Sequence, residues 1–424
     1  MALGERAIAD RRSLVLAALS TVVEWYDFTL FLYMATVLSR VFFPAEGAQD
    51  AVLTALLGFA MAYLMRPVGA LVFGHFGDRR GRRATLLASM AMMTLAMLLT
   101  ALLPTAAQIG PLAGVLLLGL RCVMGFAVGG EYTGVVAYLL EGAPAHRRGF
   151  VTSLAAATSE VGGLLAAGLA ALTVSILPAP ELDNWGWRIP FFVGAGLAGL
   201  ILLARSAMAE SPEFAANREA GNLAERPLVH VLRRYRPNLL RSFAISALGS
   251  ITYYVGITYV PVFLTSSGSL TEAEALQLAT IAGLAVVMVT PFVGLLSDRV
   301  GRRPVLIALA LLSVAAPYLL FRLLADASAG GALAGAVLLA LLAGGVSAVG
   351  AVATAEQIPA EGRLSGLALG ATTATALFGG MTPWLAQTVV ARTGMVLFPG
   401  MMIAVVALCV LPVLFLTPET RTNA

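Results

Sequence analysis

Long apolar stretches alternate with short polar breaks from one end of the chain to the other. They run over 13–41, 51–76, 84–104, 110–140, 150–177 and 189–208, then over 240–265, 275–297, 304–325, 331–355, 364–390 and 395–416. A helix that crosses a bilayer takes about 20 mostly apolar residues, and each stretch supplies them. The pattern predicts an all-α membrane protein with twelve transmembrane helices. The one long hydrophilic stretch, about 209–238, is rich in Arg with Pro, Asn and Glu. It divides the helices into an N-terminal six-helix bundle at 1–208 and a C-terminal one at 239–424, with 209–238 as linker.

Composition supports the bilayer as solvent. Of 424 residues 59% are hydrophobic and 12% are charged, against about 25% charged in soluble domains. The mean hydropathy is +0.88. All 27 basic residues are Arg, and they cluster between apolar spans, so the net charge of +4 does not mark a nucleic-acid binder. With both termini placed in the cytoplasm, that side holds 21 arginines, and the other holds Arg40, Arg188, Arg322 and Arg392. The positive-inside rule selects this topology. Met1 to Arg12 is a short polar lead with no cleavable signal pattern. Cys122 and Cys409 fall within apolar runs and read as small hydrophobes, not as a disulfide or metal site.

The two halves repeat each other. GHFGDRRGRRATLL at 74–87 matches GLLSDRVGRRPVLI at 294–307, an offset of 220, with Gly74, Asp78, Arg79, Gly81, Arg82, Arg83 and Leu86 each meeting an identical residue. Glu141, Pro144 and Arg148 match Glu356, Pro359 and Arg363 at an offset of 215. Two motifs at nearly one spacing mark a duplicated six-helix unit. These paired loops resemble the signature of the major facilitator superfamily. Glu24-Trp25-Tyr26-Asp27-Phe28, Leu64-Met65-Arg66-Pro67, Gly129-Gly130-Glu131-Tyr132-Thr133-Gly134 and Trp185-Gly186-Trp187-Arg188-Ile189-Pro190-Phe191 resemble, more narrowly, the metabolite:proton symporter family. That family includes proline/betaine, citrate, α-ketoglutarate and shikimate carriers. The resemblance implies two bundles around a central site and proton-coupled uptake by alternating access. It implies a bacterial inner membrane, and as partners a small solute, a proton and lipid. A monomer without cofactor, metal or enzymatic activity is expected: there is no nucleophile–base pair, metal cluster or phosphate-binding loop.

An ionisable group at mid-bilayer costs at least about 2.5–3.5 kcal/mol, so a chain keeps it for function or for pairing. Such groups concentrate in the first half: Glu24, Asp27, Arg66, Arg121, Glu131 and Glu160. Glu24 and Asp27, three residues apart, share a helix face. Both cannot ionise cheaply there, so one holds a proton and couples transport, Asp27 being favoured, unless each is held by an arginine. Arg121 is placed either to fork a substrate carboxylate or to pair with Asp27 or Glu24. Glu131, in a run of small residues, is a proton relay or a structural carboxyl, with Glu160 as its expected neighbour. Arg66 reads as a brace. From the second half Tyr253, Tyr254 and Trp384, and from the first Tyr26, are the aromatic candidates for substrate contact. Asp78, Arg82, Arg83 and Glu141, with Asp298, Arg302, Arg303 and Glu356, are read as gating residues. The Asp78 carboxylate, at the end of its helix, would face a helix N-terminus in the other half, and Arg82 and Arg83 would bridge to nearby acids such as Glu141.

Two arginines against four buried acids suit a zwitterion or a monocarboxylate better than a tricarboxylate. Di- and tricarboxylate symport and proton-independent exchange remain alternatives. The chain ends at Ala424 without the long coiled coil of the osmosensing carriers, and osmotic regulation is not expected.

Overall fold

The computed structural model describes residues 11–44, 47–80, 82–129, 131–206, 227–267, 270–326, 329–358 and 363–421. Its regular elements are all helical. Helix α1 comprises Arg11–Tyr33 and, past a break at Met34, Ala35–Phe42. Then come α2 (Ala48–Arg80), α3 (Arg82–Leu102) and α4 (Leu112–Ala127 and Glu131–Gly142). Helices α5 (Arg148–Ile176) and α6 (Arg188–Ser206) complete the first bundle. In the second, α7 runs through Arg236–Tyr253, a π-turn at Tyr254–Thr258 and Val260–Ser266. It is followed by α8 (Glu272–Val300), α9 (Arg302–Ala325) and α10 (Ala329–Glu356). Helix α11 opens at Arg363–Leu367, passes through π-turns at Ala368–Thr372 and Ala376–Gly380, and ends as Met381–Thr393. Helix α12 is Phe398–Leu416.

Seven of these helices are individually long and apolar enough to cross a membrane, and α7, bent by 41° before Val260–Ser266, makes an eighth. Helices α3 and α4 contribute shorter apolar segments, and π-turns divide α11 into short pieces. A π-turn leaves one carbonyl outside the regular ladder, and neither those in α7 and α11 nor the break in α1 is signalled by hydropathy. Part of the expected linker is regular. Pro227–Arg234 is a helix, with Val231 buried and Val229 and Leu232 exposed.

The bundles meet where α5 packs along α8 and α2 along α11, while α1 and α7 close the centre. Glycine sets the approach. A Cβ on Gly294 would lie 2.4 Å from Ser153 Oγ and 2.8 Å from the Gly149 carbonyl, so α5 and α8 touch backbone to backbone there. This accounts for the glycine of the second copy of the loop motif. Gly294→Val should cost about 1–3 kcal/mol through overpacking, read as a lower melting temperature in detergent. An unchanged melt would show that the close approach is not needed.

Candidate functional site

A cavity of about 140 Å³ lies between the bundles at mid-depth, extending toward the end that carries the repeated arginine loops. The first half contributes Glu24, Trp25, Arg66 and Glu160 to its wall, and the second Ser250, Tyr253, Tyr254, Thr372 and Thr375. The charged groups are thus on one side and the hydroxyl groups mostly on the other.

Three buried carboxylates of the first bundle each have an arginine. Arg66 Nη2 donates to Glu24 Oε1 at 2.7 Å, and its guanidinium lies over the rings of Phe28 and Tyr63 at 4.2 and 4.4 Å. Arg121 Nη1 donates to Asp27 Oδ2 at 2.8 Å and its Nη2 to Thr100 Oγ1 at 3.1 Å. Arg205 Nη1 lies 2.7 Å from Glu131 Oε1, an ion pair at contact distance whose angle falls outside hydrogen-bond geometry. Glu24 and Asp27 are therefore each held by an arginine of their own. They point to different partner helices, α2 and α4, and each is separately balanced. Arg205, 2% exposed, was hidden in the sequence because it sits in the last turn of α6 among loop arginines. Glu131 takes this arginine, and Glu160 is instead approached from the other half, by the Tyr253 hydroxyl donating to Oε2 at 3.3 Å.

Several expected substrate contacts lie elsewhere. Tyr26 is 1% exposed and donates to the Pro190 carbonyl at 2.7 Å, on the side of α1 away from the cavity. Its neighbour Trp25 lines the cavity instead, since one residue turns a helix by about 100°. Arg121 is 2% exposed and enclosed with Asp27, outside the cavity wall. Trp384 packs against the apolar core and is likewise not on the wall, whereas Tyr253 and Tyr254 are. Tyr63, not anticipated, holds Tyr254 through a 2.5 Å hydroxyl contact. Trp25, Tyr253 and Tyr254 form an aromatic group, with centroid separations of 5.1–6.2 Å.

Contacts between helices of the two bundles flank the cavity at each end. At the end away from the loop motifs, Arg40 of α1 joins Asp183, at 3.0 Å, to Glu272 at the start of α8, tying one bundle to the other. At the motif end an apolar cluster of α4, α10 and α11 includes Leu140 and Val352, and its Val136 and Leu367 line the cavity. The second loop motif locks this end further. Asp298 accepts from the backbone N–H of Gly149 and Phe150, both at 2.8 Å, so its carboxylate sits on the N-terminus of α5. Arg302 pairs with Asp298 at 2.7 Å and Glu356 at 3.4 Å, and the Arg303 guanidinium donates to the Phe415 carbonyl. The side chains of Asp78, Arg82, Arg83 and Glu141, the first copy, lie outside the described residues.

Glu419, beyond α12, caps α9 through the N–H groups of Arg302 and Arg303, both at 2.9 Å. Partial burial opposes its charge, but the backbone hydrogen bonds outweigh that and hold its carboxyl below the usual range. A depressed carboxyl stabilises the fold above its unfolded value and loses that contribution as pH falls through the folded one. The melting temperature of wild type should therefore exceed that of Glu419→Gln at pH about 7 and converge with it near about 3. An unchanged gap at low pH would contradict the cap.

The sequence matches the model of the sugar (and other) transporter family twice, over residues 13–231 and 226–423. The chain belongs to this family of the major facilitator superfamily. It is 33% identical over 418 residues to the ectoine/proline transporter ProP of Corynebacterium glutamicum, covering 94% of this chain and 82% of that one. With the citrate-proton symporter of Klebsiella pneumoniae it shares 32% identity over 388 residues, covering 91% and 87%. The partially occluded inward-open xylose transporter XylE of E. coli superposes with a TM-score of 0.76 at 21% identity, covering 97% of this chain and 99% of that one. This last likeness shows the shared fold.

Proposed function

We propose that the chain is a proton-coupled symporter of a small carboxylate-bearing metabolite, most closely a zwitterion or monocarboxylate. The observation that carries this reading is the cavity between the bundles, with Arg66 on its wall and aromatic and hydroxyl side chains around it. Arg66 Nε has no hydrogen-bond partner among the described residues, which leaves a donor for a substrate carboxylate. In this role Arg66 replaces Arg121. Arg121 instead holds Asp27, and this enclosed pair is the proton-responsive element. Protonation of Asp27 would release Arg121 and change the packing of α1 against α4. The relatives named for proline, ectoine and citrate transport support a solute with a carboxylate.

In this reading residues 1–208 and 239–424 rock about the cavity, with 209–238 as linker. The Arg40 bridges hold the outer side, and the Asp298 and Arg302 contacts hold the cytoplasmic one. Both termini are cytoplasmic and the membrane is the bacterial inner membrane. Each proton entering gains about 2.3 kcal/mol per 100 mV of membrane potential, enough to concentrate a neutral or singly charged solute.

A thermal-shift screen of the purified protein with proline, trimethylglycine, monocarboxylates, dicarboxylates and citrate tests the substrate class. Stabilisation by zwitterions or monocarboxylates is the expected result. Stabilisation by citrate alone would overturn it.

A further inference from the structure

Glu160 stands apart from the other buried carboxylates of the first bundle. Glu24, Asp27 and Glu131 each face an arginine within 2.8 Å. Glu160, 5% exposed, has no arginine within ion-pair distance among the described residues. Its hydrogen bond comes from the neutral Tyr253 hydroxyl. It also lies on the cavity wall, beside Tyr253 and on the same bundle's side as the Glu24–Arg66 pair. The Glu24–Arg66 pair is neutral as a unit, so the ionised cavity carries one uncompensated negative charge. A bare carboxylate in so dry a place is costly unless a positive group arrives from outside the protein.

We propose that Glu160 selects solutes by charge, seating a fixed cationic group of the substrate, such as a methylated ammonium, in the cavity beside the aromatic group of Trp25, Tyr253 and Tyr254. The inference rests on the reading of this cavity as the substrate site. Aromatic side chains next to a carboxylate are the chemistry that recognises quaternary ammonium, by attraction to ring faces together with direct charge. Arg66 then takes the carboxylate end, and a zwitterion lies between the two. A solute without the cationic group leaves the seat to a proton.

Two isosteres isolate the charge. Trimethylglycine and 3,3-dimethylbutanoate share size and carboxylate and differ in a central N⁺ or C. Binding of each to the full-length protein in nanodiscs should favour trimethylglycine by at least about tenfold in wild type. In Glu160→Gln the two should bind within about threefold of each other, and Glu160→Asp should restore the preference. A structural role for Glu160 would change both affinities together and leave their ratio alone, and that result overturns the proposal. If Glu160→Gln does not fold, Glu160→Ser takes its place with the same expected loss. Tetramethylammonium, which has no carboxylate, separates this inference from the reading beneath it. If neither isostere binds wild type, the carboxylate site is wrong. Glu160 then stands if tetramethylammonium binds wild type but not the variant, and falls if it binds neither or both.

Discussion

Asp27→Asn should give a folded protein that exchanges substrate across the membrane but cannot concentrate it. Asp27 is fully buried, and Arg121 is 2% exposed. Asn keeps the shape and one acceptor for Arg121 but cannot change charge with pH. The substitution leaves the guanidinium without its counter-ion, and breaking a buried pair costs about 3–5 kcal/mol when one partner is removed outright. The isosteric Asn should cost less than Arg121→Ala, which strands a carboxylate instead. Arg121→Ala should therefore express poorly and melt well below wild type. Combining Asp27→Asn with Arg121→Ala should recover much of that stability without recovering uptake. Counterflow in proteoliposomes measures exchange, and accumulation under an imposed pH gradient measures coupling. If Asp27→Asn accumulates substrate as wild type does, Asp27 is not the coupling residue.

The second large effect is expected at Asp298. Its two oxygens accept the first N–H groups of α5, and Arg302 completes the contact. Asp298→Ala leaves those N–H groups and Arg302 unbalanced, at about 1–3 kcal/mol for each buried group left without a partner. The loss falls on the state in which the motif end is held closed, so the population shifts toward opening at that end. Transport should fall at least about tenfold, since a shift of about 1.4 kcal/mol is already a factor of ten. With Cys122 and Cys409 replaced by Ser, Ser246→Cys on the cavity wall reports the opening. Its labelling from the motif end should speed up in Asp298→Ala. Unchanged labelling with lost transport would mean that Asp298 acts other than as a latch.

Much of the architecture was legible in the chain because a bilayer imposes one simple rule on every span. The twelve apolar stretches and the observed helices agree to within a few residues at most ends, as Glu272–Val300 against 275–297 illustrates. The 220-residue repeat pointed to the loop motifs, and Asp298, the repeat counterpart of Asp78, makes the cross-half contact that was expected of Asp78. What hydropathy does not encode is rotation about each helix axis. That rotation puts Trp25 and Arg66 on the cavity wall and Tyr26 and Arg121 off it. Pairing was hidden for the same reason. Glu24 and Asp27 looked coupled by their spacing, yet side chains three residues apart still diverge enough to reach α2 and α4 separately. Arg205 is not legible as the partner of Glu131, because a basic residue at a helix end ordinarily marks topology. The π-turns at Tyr254–Thr258 and Ala368–Thr372 have no hydrophobic signature, and they shape the cavity wall.

The most direct test of proton-coupled symport is a paired flux measurement on wild-type protein in liposomes, acidic outside and with no substrate gradient. A labelled solute selected by the thermal-shift screen is added to both sides. The account predicts that it accumulates inside above its external concentration while the external medium alkalinises in step. Redistribution that stays at equal concentrations, with no proton movement, would contradict it.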